Sequence, residues 1–204
     1  MKIFIKNMVC GRCIAAVSAI FEEFNIKITQ IALGEVEIES EISKTDIQLI
    51  ENRLKETGFE RIKDATHQLV DKIKNLIIIK IGKLDIDENF LLSKFLSVEL
   101  HKDYSSLSKV FSQNENITVE QFFILQKIEK VKELLLYNEF NLTEIAGKLG
   151  YKSVQHLSSQ FRSTTGFTPT EFKKMKVHNR KSLDMVQETE AKIDKNTKVL
   201  KSNK

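Results

Sequence analysis

The sequence predicts an α+β chain: a strand–helix–strand–strand–helix–strand unit at the N-terminus, then an all-α region built from two helix-turn-helix units. Three observations predict it. Residues 2–62 set short runs of alternating apolar residues between two helical patterns. From residue 64 onward the apolar residues follow the helical period. Residues 141–172 spell two short helices, a tight turn, a glycine stop and a proline restart, each with its capping residue.

The first strand, residues 2–7, alternates lysine with apolar residues and puts Ile3 and Ile5 on one face. Residues 12–24 carry Ile14, Val17, Ile20, Phe21 and Phe24 at helical spacing. Two strands follow, over 26–33 and 35–39, turned at Gly34. In the second, Val36 and Ile38 point one way, and Glu35, Glu37 and Glu39 form a solvated face. Ser43 caps a helix with Asp46 at its third position, and Ile47, Ile50 and Leu54 form its buried stripe. Gly58 stops that helix, and residues 59–62 return as an edge strand. The order βαββαβ is the ferredoxin-like arrangement.

Residues 63–86 read as a connecting helix. Leu69, Ile73, Leu76, Ile77 and Lys80 keep the helical period, with extra isoleucines at 78, 79 and 81. No Pro- or Gly-rich linker separates the halves. Such a helix transmits a rotation as a flexible linker does not, or opens the core of the next domain; both readings stand.

The first helix-turn-helix unit falls within residues 87–140. Phe95, Leu96 and Leu100 supply its first helix, and Asp103 caps its second. Leu107 and Phe111, four apart, bury one face of that second helix; Ser105, Ser106, Ser108 and Lys109 occupy the other. Asn116 tolerates the left-handed conformation that ends a helix. Thr118 and Gln121 form a capping box for a long helix through Phe122, Ile124, Leu125, Ile128, Val131, Leu134, Leu135 and Leu136.

The second unit repeats the plan. Asn141 and Glu144 form a capping box, Ile145 and Leu149 share a face, and Ala146 lets a crossing helix come close. Gly150 supplies a positive φ. Ser153 caps the next helix, Leu157 and Phe161 face inward, and Gln155, His156, Ser158, Ser159 and Arg162 face outward. Gly166 ends it. Thr168 then caps a last helix, with Pro169 first and Glu171 third. A helix with an apolar inner face and hydrogen-bonding side chains outside suits entry into the DNA major groove.

Ile145-Ala146, Leu149-Gly150-Tyr151, Leu157, Phe161, Gly166-Phe-Thr168-Pro169 and Phe172 together resemble the second helix-turn-helix of the AraC/XylS family of transcription regulators. The resemblance implies a double helix-turn-helix domain over residues 87–175 that binds double-stranded DNA, with the long helix linking two reading heads. Ser153, Gln155, His156, Ser158, Ser159 and Arg162 would be the contacts of the second head. Gln155 would pair with adenine, and Ser158, Ser159 and Arg162 would reach bases or phosphates. Ser105, Ser106, Ser108 and Lys109 would serve the first head, Lys109 on guanine or phosphate. The first head departs from the family pattern: Asn116 stands at a glycine, and His101 at a glycine or small residue.

The sequence Met8-Val-Cys10-Gly-Arg12-Cys13 joins the first strand to the first helix. Two thiols three residues apart can both face one ion, and Cu(I) prefers such soft ligands. The helix N-terminus and the charge of Arg12 favour thiolates there. With Val17, the Gly34-Glu-Val36-Glu-Ile38 segment and Gly58-Phe59, these residues resemble the heavy-metal-associated domain of copper chaperones and metal-transporting ATPases. That resemblance implies Cu(I) or another soft metal on Cys10 and Cys13, Met8 in the core beneath the loop, and Phe59 near the site. Three readings stand: metal sensing, a fold kept for homodimerisation or another ligand, and thiol redox sensing. No histidine lies nearby in sequence, which argues against a tetrahedral zinc site within one chain.

Composition limits the remaining classes. Net charge is −2 over residues 1–62, zero over 63–90, +2 over 91–175 and +4 over 176–204, so positive charge gathers toward the end expected to meet phosphate. No apolar run is long enough for a membrane span, and the N-terminus lacks the pattern of a signal peptide. The sequence therefore predicts a cytoplasmic protein with no membrane partner. His67, His101, His156 and His178 are scattered, and neither a P-loop nor a Rossmann glycine pattern is present, so no enzyme is expected. Residues 176–204 are lysine-rich with few large apolar residues, the composition of a disordered basic tail. The rival to a regulator is a metal-binding, metallochaperone-like protein whose helical half docks to a protein partner.

Overall fold

The computed structural model describes residues 1–174, so the expected basic tail lies outside the described residues. The chain divides into two compact units, Met1–Ile79 and a second beginning at Lys80. A small antiparallel sheet belongs to the first; the second is helical.

In the first unit β1 (Lys2–Lys6), α1 (Gly11–Glu23), β2 (Ile28–Ala32), β3 (Glu35–Ile38), α2 (Lys44–Glu56) and β4 (Glu60–Ile62) follow in that order. The sheet runs β2-β3-β1-β4, and every neighbouring pair is antiparallel. Alternation along the strands fixes the register: Ile3 pairs with Val36, and both are buried. They join Ile5, Ile38, Val17, Ile20, Phe21, Ile50 and Leu54 in one apolar core. Met8 is fully buried there too, beneath the loop that carries the cysteines, and Phe59 joins the same cluster.

The opposite sheet face is not simply solvated. Glu35 pairs with Lys2 at 2.6 Å and with Lys72 at 3.5 Å, and Glu39 pairs with Lys27 at 3.1 Å. Lys72 belongs to α3 (Ala65–Gly82), and its ammonium also lies 4.9 Å from the centre of the Phe4 ring. Gly34 turns the β2–β3 hairpin with φ +82°; a Cβ there would stand 2.8 Å from Asn75 Nδ2 and 3.3 Å from Asp71 Oδ2. The positive φ of the turn is what favours glycine there, since the two side-chain ends from α3 can move aside. Ser43 accepts the Asp46 N–H as expected, at 3.1 Å. Asp64 does the same work for α3, accepting from Thr66 and His67, a cap the periodicity of that helix does not announce.

The second unit contains α4 (Leu92–Leu100), α5 (Tyr104–Glu115), α6 (Val119–Tyr137), α7 (Leu142–Lys148), α8 (Val154–Thr165) and α9 (Pro169–Lys174). It is an internal repeat with an offset of 50 residues: Leu107, Phe111, Asn116, Thr118 and Phe122 return as Leu157, Phe161, Gly166, Thr168 and Phe172. Both copies end their second helix in the left-handed region, at Asn116 (φ 58°) and Gly166 (φ 84°). Both restart with a threonine whose hydroxyl accepts the third N–H of the next helix, from Gln121 at 3.1 Å and from Glu171 at 3.2 Å. The long helix α6 packs against α5, α8 and α9 and is the common support of both copies. Residues before α4 also reach the second copy, since the Ile86 N–H donates to the Lys148 carbonyl at 3.1 Å.

One capping expectation needs correction. Asp103 occupies the N-cap position of α5 with extended backbone, but its carboxylate accepts no cap hydrogen bond. His101 two residues earlier sits at φ 50°. The first turn therefore rests on a left-handed histidine where the second uses Gly150 (φ 67°).

Candidate nucleic-acid interface

The surface expected to read DNA begins with the start of α8. Asn141 accepts from the Thr143 and Glu144 amides at 2.9 and 3.0 Å, and Glu144 answers by accepting the Asn141 N–H at 2.8 Å. That box sets α7. Gly150, at φ +67°, turns the backbone after α7, and Ser153 Oγ accepts the His156 N–H at 3.1 Å to open α8. Ser153 is therefore engaged as a cap through one lone pair and remains exposed.

Leu157 and Phe161 are fully buried, which fixes the outward direction of the rest of α8. Gln155, Ser159 and Arg162 are exposed and stand at i, i+4 and i+7, so they share one face. His156 is exposed beside them, its ring edge-on to Tyr151 with centroids 5.4 Å apart. Ser158 is half-buried and lies at the margin of that face. Along α5, Ser105, Ser106 and Lys109 are exposed, and Ser108 is half-buried, its carbonyl accepting the Ser112 hydroxyl at 2.8 Å. The face of α5 offers short hydroxyls and one cation; that of α8 offers an amide, an imidazole and a guanidinium, a richer set for base edges.

The contacts of three supporting residues escape the sequence reading, although Tyr151 is itself among those that carry the resemblance. The Tyr104 hydroxyl, in the first turn of α5, donates to the Glu120 carboxylate at the start of α6. Burial and that carboxylate push the tyrosine hydroxyl up, well out of the physiological range. Tyr151, buried, donates its hydroxyl to Gln160 Oε1 at 2.8 Å and so ties the turn to α8. Lys127 of α6, only 8% exposed, donates to the Leu149 carbonyl at 3.0 Å. A lysine inside the run from Phe122 to Val131 is the one signal the sequence offers for it.

In the first unit Cys10 and Cys13 bring their sulfurs to 3.4 Å of each other. Cys10, exposed, is the N-cap residue of α1, and Cys13 is half-buried. The Cys13 backbone N–H beside its sulfur, helped by the Arg12 amide and guanidinium, holds the Cys10 thiol below its ordinary value; partial burial opposes this. Two adjacent sulfurs fit a soft ion that accepts two thiolates. Among the described residues no third Cys, His, Asp or Glu completes a metal cluster with them. Nor is any described helix long and apolar enough to cross a membrane.

Residues 96–175 match the family model described as a helix-turn-helix domain. The xylose operon regulatory protein of Escherichia coli (strain K12) is 30% identical over 69 residues, which cover 34% of this chain and 18% of that protein. The chain thus spans under a fifth of the length of the curated relatives it matches. Among solved structures, the C-terminal domain of the response regulator yesN from Fusobacterium nucleatum is 30% identical, covering 50% of this chain and 99% of that one, with a TM-score of 0.44. The C-terminal domain of AraT, a response regulator from Geobacillus stearothermophilus, is 20% identical, covering 56% and 90%, with a TM-score of 0.47. These proteins are regulators by name. Residues 96–175 are a helix-turn-helix domain.

Proposed function

We propose that the chain is a transcription regulator that binds double-stranded DNA in a sequence-specific way through residues 87–175. The observation that carries this reading is the exposed face of α8, where Gln155, Ser159 and Arg162 stand in line above the buried pair Leu157 and Phe161. Such a face, inserted into the major groove, places an amide for adenine and a guanidinium for guanine or phosphate. Ser153, His156 and Ser158 flank it. Ser105, Ser106, Ser108 and Lys109 of α5 form the second head, and both heads rest on α6. Two heads on one support read two successive groove segments about one turn apart. Selection of duplexes from a random-sequence pool by the full chain tests this. Recovery of a motif with two such half-sites supports it, and equal retention of all sequences contradicts it.

The first unit we read as a ferredoxin-like domain of the heavy-metal-associated kind; the strand order β2-β3-β1-β4 and the buried Met8 support that reading. Cys10 and Cys13 would hold a soft ion such as Cu(I) as the regulatory ligand. The 3.4 Å approach of the two sulfurs favours this over a homodimerisation role alone. Titration of the reduced chain with Cu(I), alongside Cys10→Ser and Cys13→Ser, decides the point. Unchanged metal affinity in the double variant contradicts it. Thiol redox sensing remains the second reading, carried by the same sulfur contact and by the depressed Cys10 thiol; loss of operator binding on mild oxidation would favour it.

A further inference from the structure

Lys127 is an odd residue to find where it is. It lies on the support helix α6, 8% exposed, between Gln126 and Ile128, both almost fully buried. Its ammonium gives one hydrogen bond, to the carbonyl of Leu149, at 3.0 Å. Leu149 is the last residue before the left-handed Gly150, so this bond caps the C-terminal end of α7. The ammonium also stands 3.7 Å from the centre of the Tyr151 ring and 5.3 Å from that of Phe123. Among the described residues it forms no ion pair. A buried cation held by one carbonyl and two aromatic faces gains little stability and has lost its hydration.

What Lys127 touches is the turn that launches α8. The Tyr151 ring carries Lys127 on its face and His156 against it edge-on at 5.4 Å. The Tyr151 hydroxyl continues to Gln160 on α8. The contacts thus form a continuous line from α6 through Lys127 and Tyr151 to α8, which they meet at His156 and Gln160.

We propose that Lys127 is a positioning residue for DNA recognition: with Tyr151 it pins α8 to α6 and sets the angle at which the second head presents His156, Gln155 and Arg162. The proposal rests on the DNA-binding reading above. The pin needs the charged form, because a neutral amine has no cation–π attraction. Burial pushes the Lys127 ammonium down to about 8, so the pin weakens just above neutral pH. The titratable groups that face it are Tyr151, whose hydroxyl burial pushes up, and, beyond that ring, His156.

The test uses the full chain, wild type and with Lys127→Met and Lys127→Arg, against a duplex selected from a random pool. Lys127→Met is expected to keep the preference at the half-site read by α5 and to lose about tenfold in preference at the half-site read by α8. Lys127→Arg restores it. Wild-type preference at the second half-site falls between pH 7 and 9, and Lys127→Arg holds it level. A Lys127→Met protein that selects the same motif with the same preference overturns the proposal. Hydrogen exchange without DNA gives an independent reading: amides 151–157 should exchange at least tenfold faster in Lys127→Met, while those of α5 stay unchanged. If no variant selects a motif, the DNA-binding reading fails. The exchange result then decides the pin by itself, and unchanged rates overturn it.

Discussion

The ring of Phe161 meets the ring of Phe172 edge to face with centroids 5.5 Å apart, and Phe111 meets Phe122 at the same 5.5 Å one repeat earlier. In each copy the phenylalanine of α5 or α8 is locked by one from the helix that follows. The outward direction of α8, and hence of its polar face, depends on this lock. Truncation of a buried phenylalanine leaves a cavity as well as removing its transfer energy. Phe161→Ala is expected to destabilise the second unit by about 3–5 kcal/mol in chemical unfolding. A loss under 1 kcal/mol would show that the ring does not anchor the helix.

The two left-handed glycines of the second copy separate strain from crowding. Gly166 has φ +84° and open space around the position of a Cβ, whereas Gly150 has φ +67° and would place a Cβ 2.7 Å from Ile86 Cγ2 and 2.8 Å from the Asp87 carbonyl oxygen. Gly166→Ala should cost about 1 kcal/mol, the ordinary penalty of the left-handed region. Gly150→Ala adds a backbone clash and should cost clearly more. Equal melting temperatures for the two variants would contradict this.

Asn141→Ala removes the acceptor for two α7 amides, at 2.9 and 3.0 Å. The expected loss is about 1 kcal/mol. Amide exchange should place it mainly in α7, with the protection of α6 unchanged.

These features were legible because they are local. A cap and its third residue, or a glycine at a helix end, are fixed by neighbours in sequence, so the Asn141, Ser153, Thr118 and Thr168 caps are found where the residues suggest. Asp103 shows the limit: its type is right, but its carboxylate makes no cap bond. The contacts of Lys127, Tyr104 and Tyr151 were not legible, since their partners lie 22, 16 and 9 residues away and no spacing rule connects them. The inner pairs Leu107 and Phe111, Leu157 and Phe161 are buried as their spacing requires. The solvated acidic face expected of β3 failed to anticipate Lys72, which arrives from another helix.

Lys127 also yields a stability prediction. Its ordinary value of 10.5 falls to about 8 in the folded chain because burial penalises the charge. Between pH 8 and 10.5 the unfolded chain therefore holds more protons at this site than the folded one, and the Lys127 contribution to stability rises with pH across that window. Below pH 8 its penalty is constant and greatest. Lys127→Met removes that penalty together with the carbonyl and ring contacts, so global stability at pH 7 should stay within about 1 kcal/mol of wild type. The rise above pH 8 should be smaller in that variant. A larger loss through the substitution would mean that the carbonyl and ring contacts outweigh the desolvation.

Base reading is proposed for the exposed face of α8. The most direct measurement is the affinity of Gln155→Ala, against wild type, for the selected duplex and for a scrambled duplex at several salt concentrations. A Gln155 that pairs with a base should, when truncated, lose about 1–3 kcal/mol on the selected duplex, relax the preference at one base pair, and leave the salt slope on the scrambled one unchanged. Equal affinity and an identical footprint for variant and wild type would contradict it.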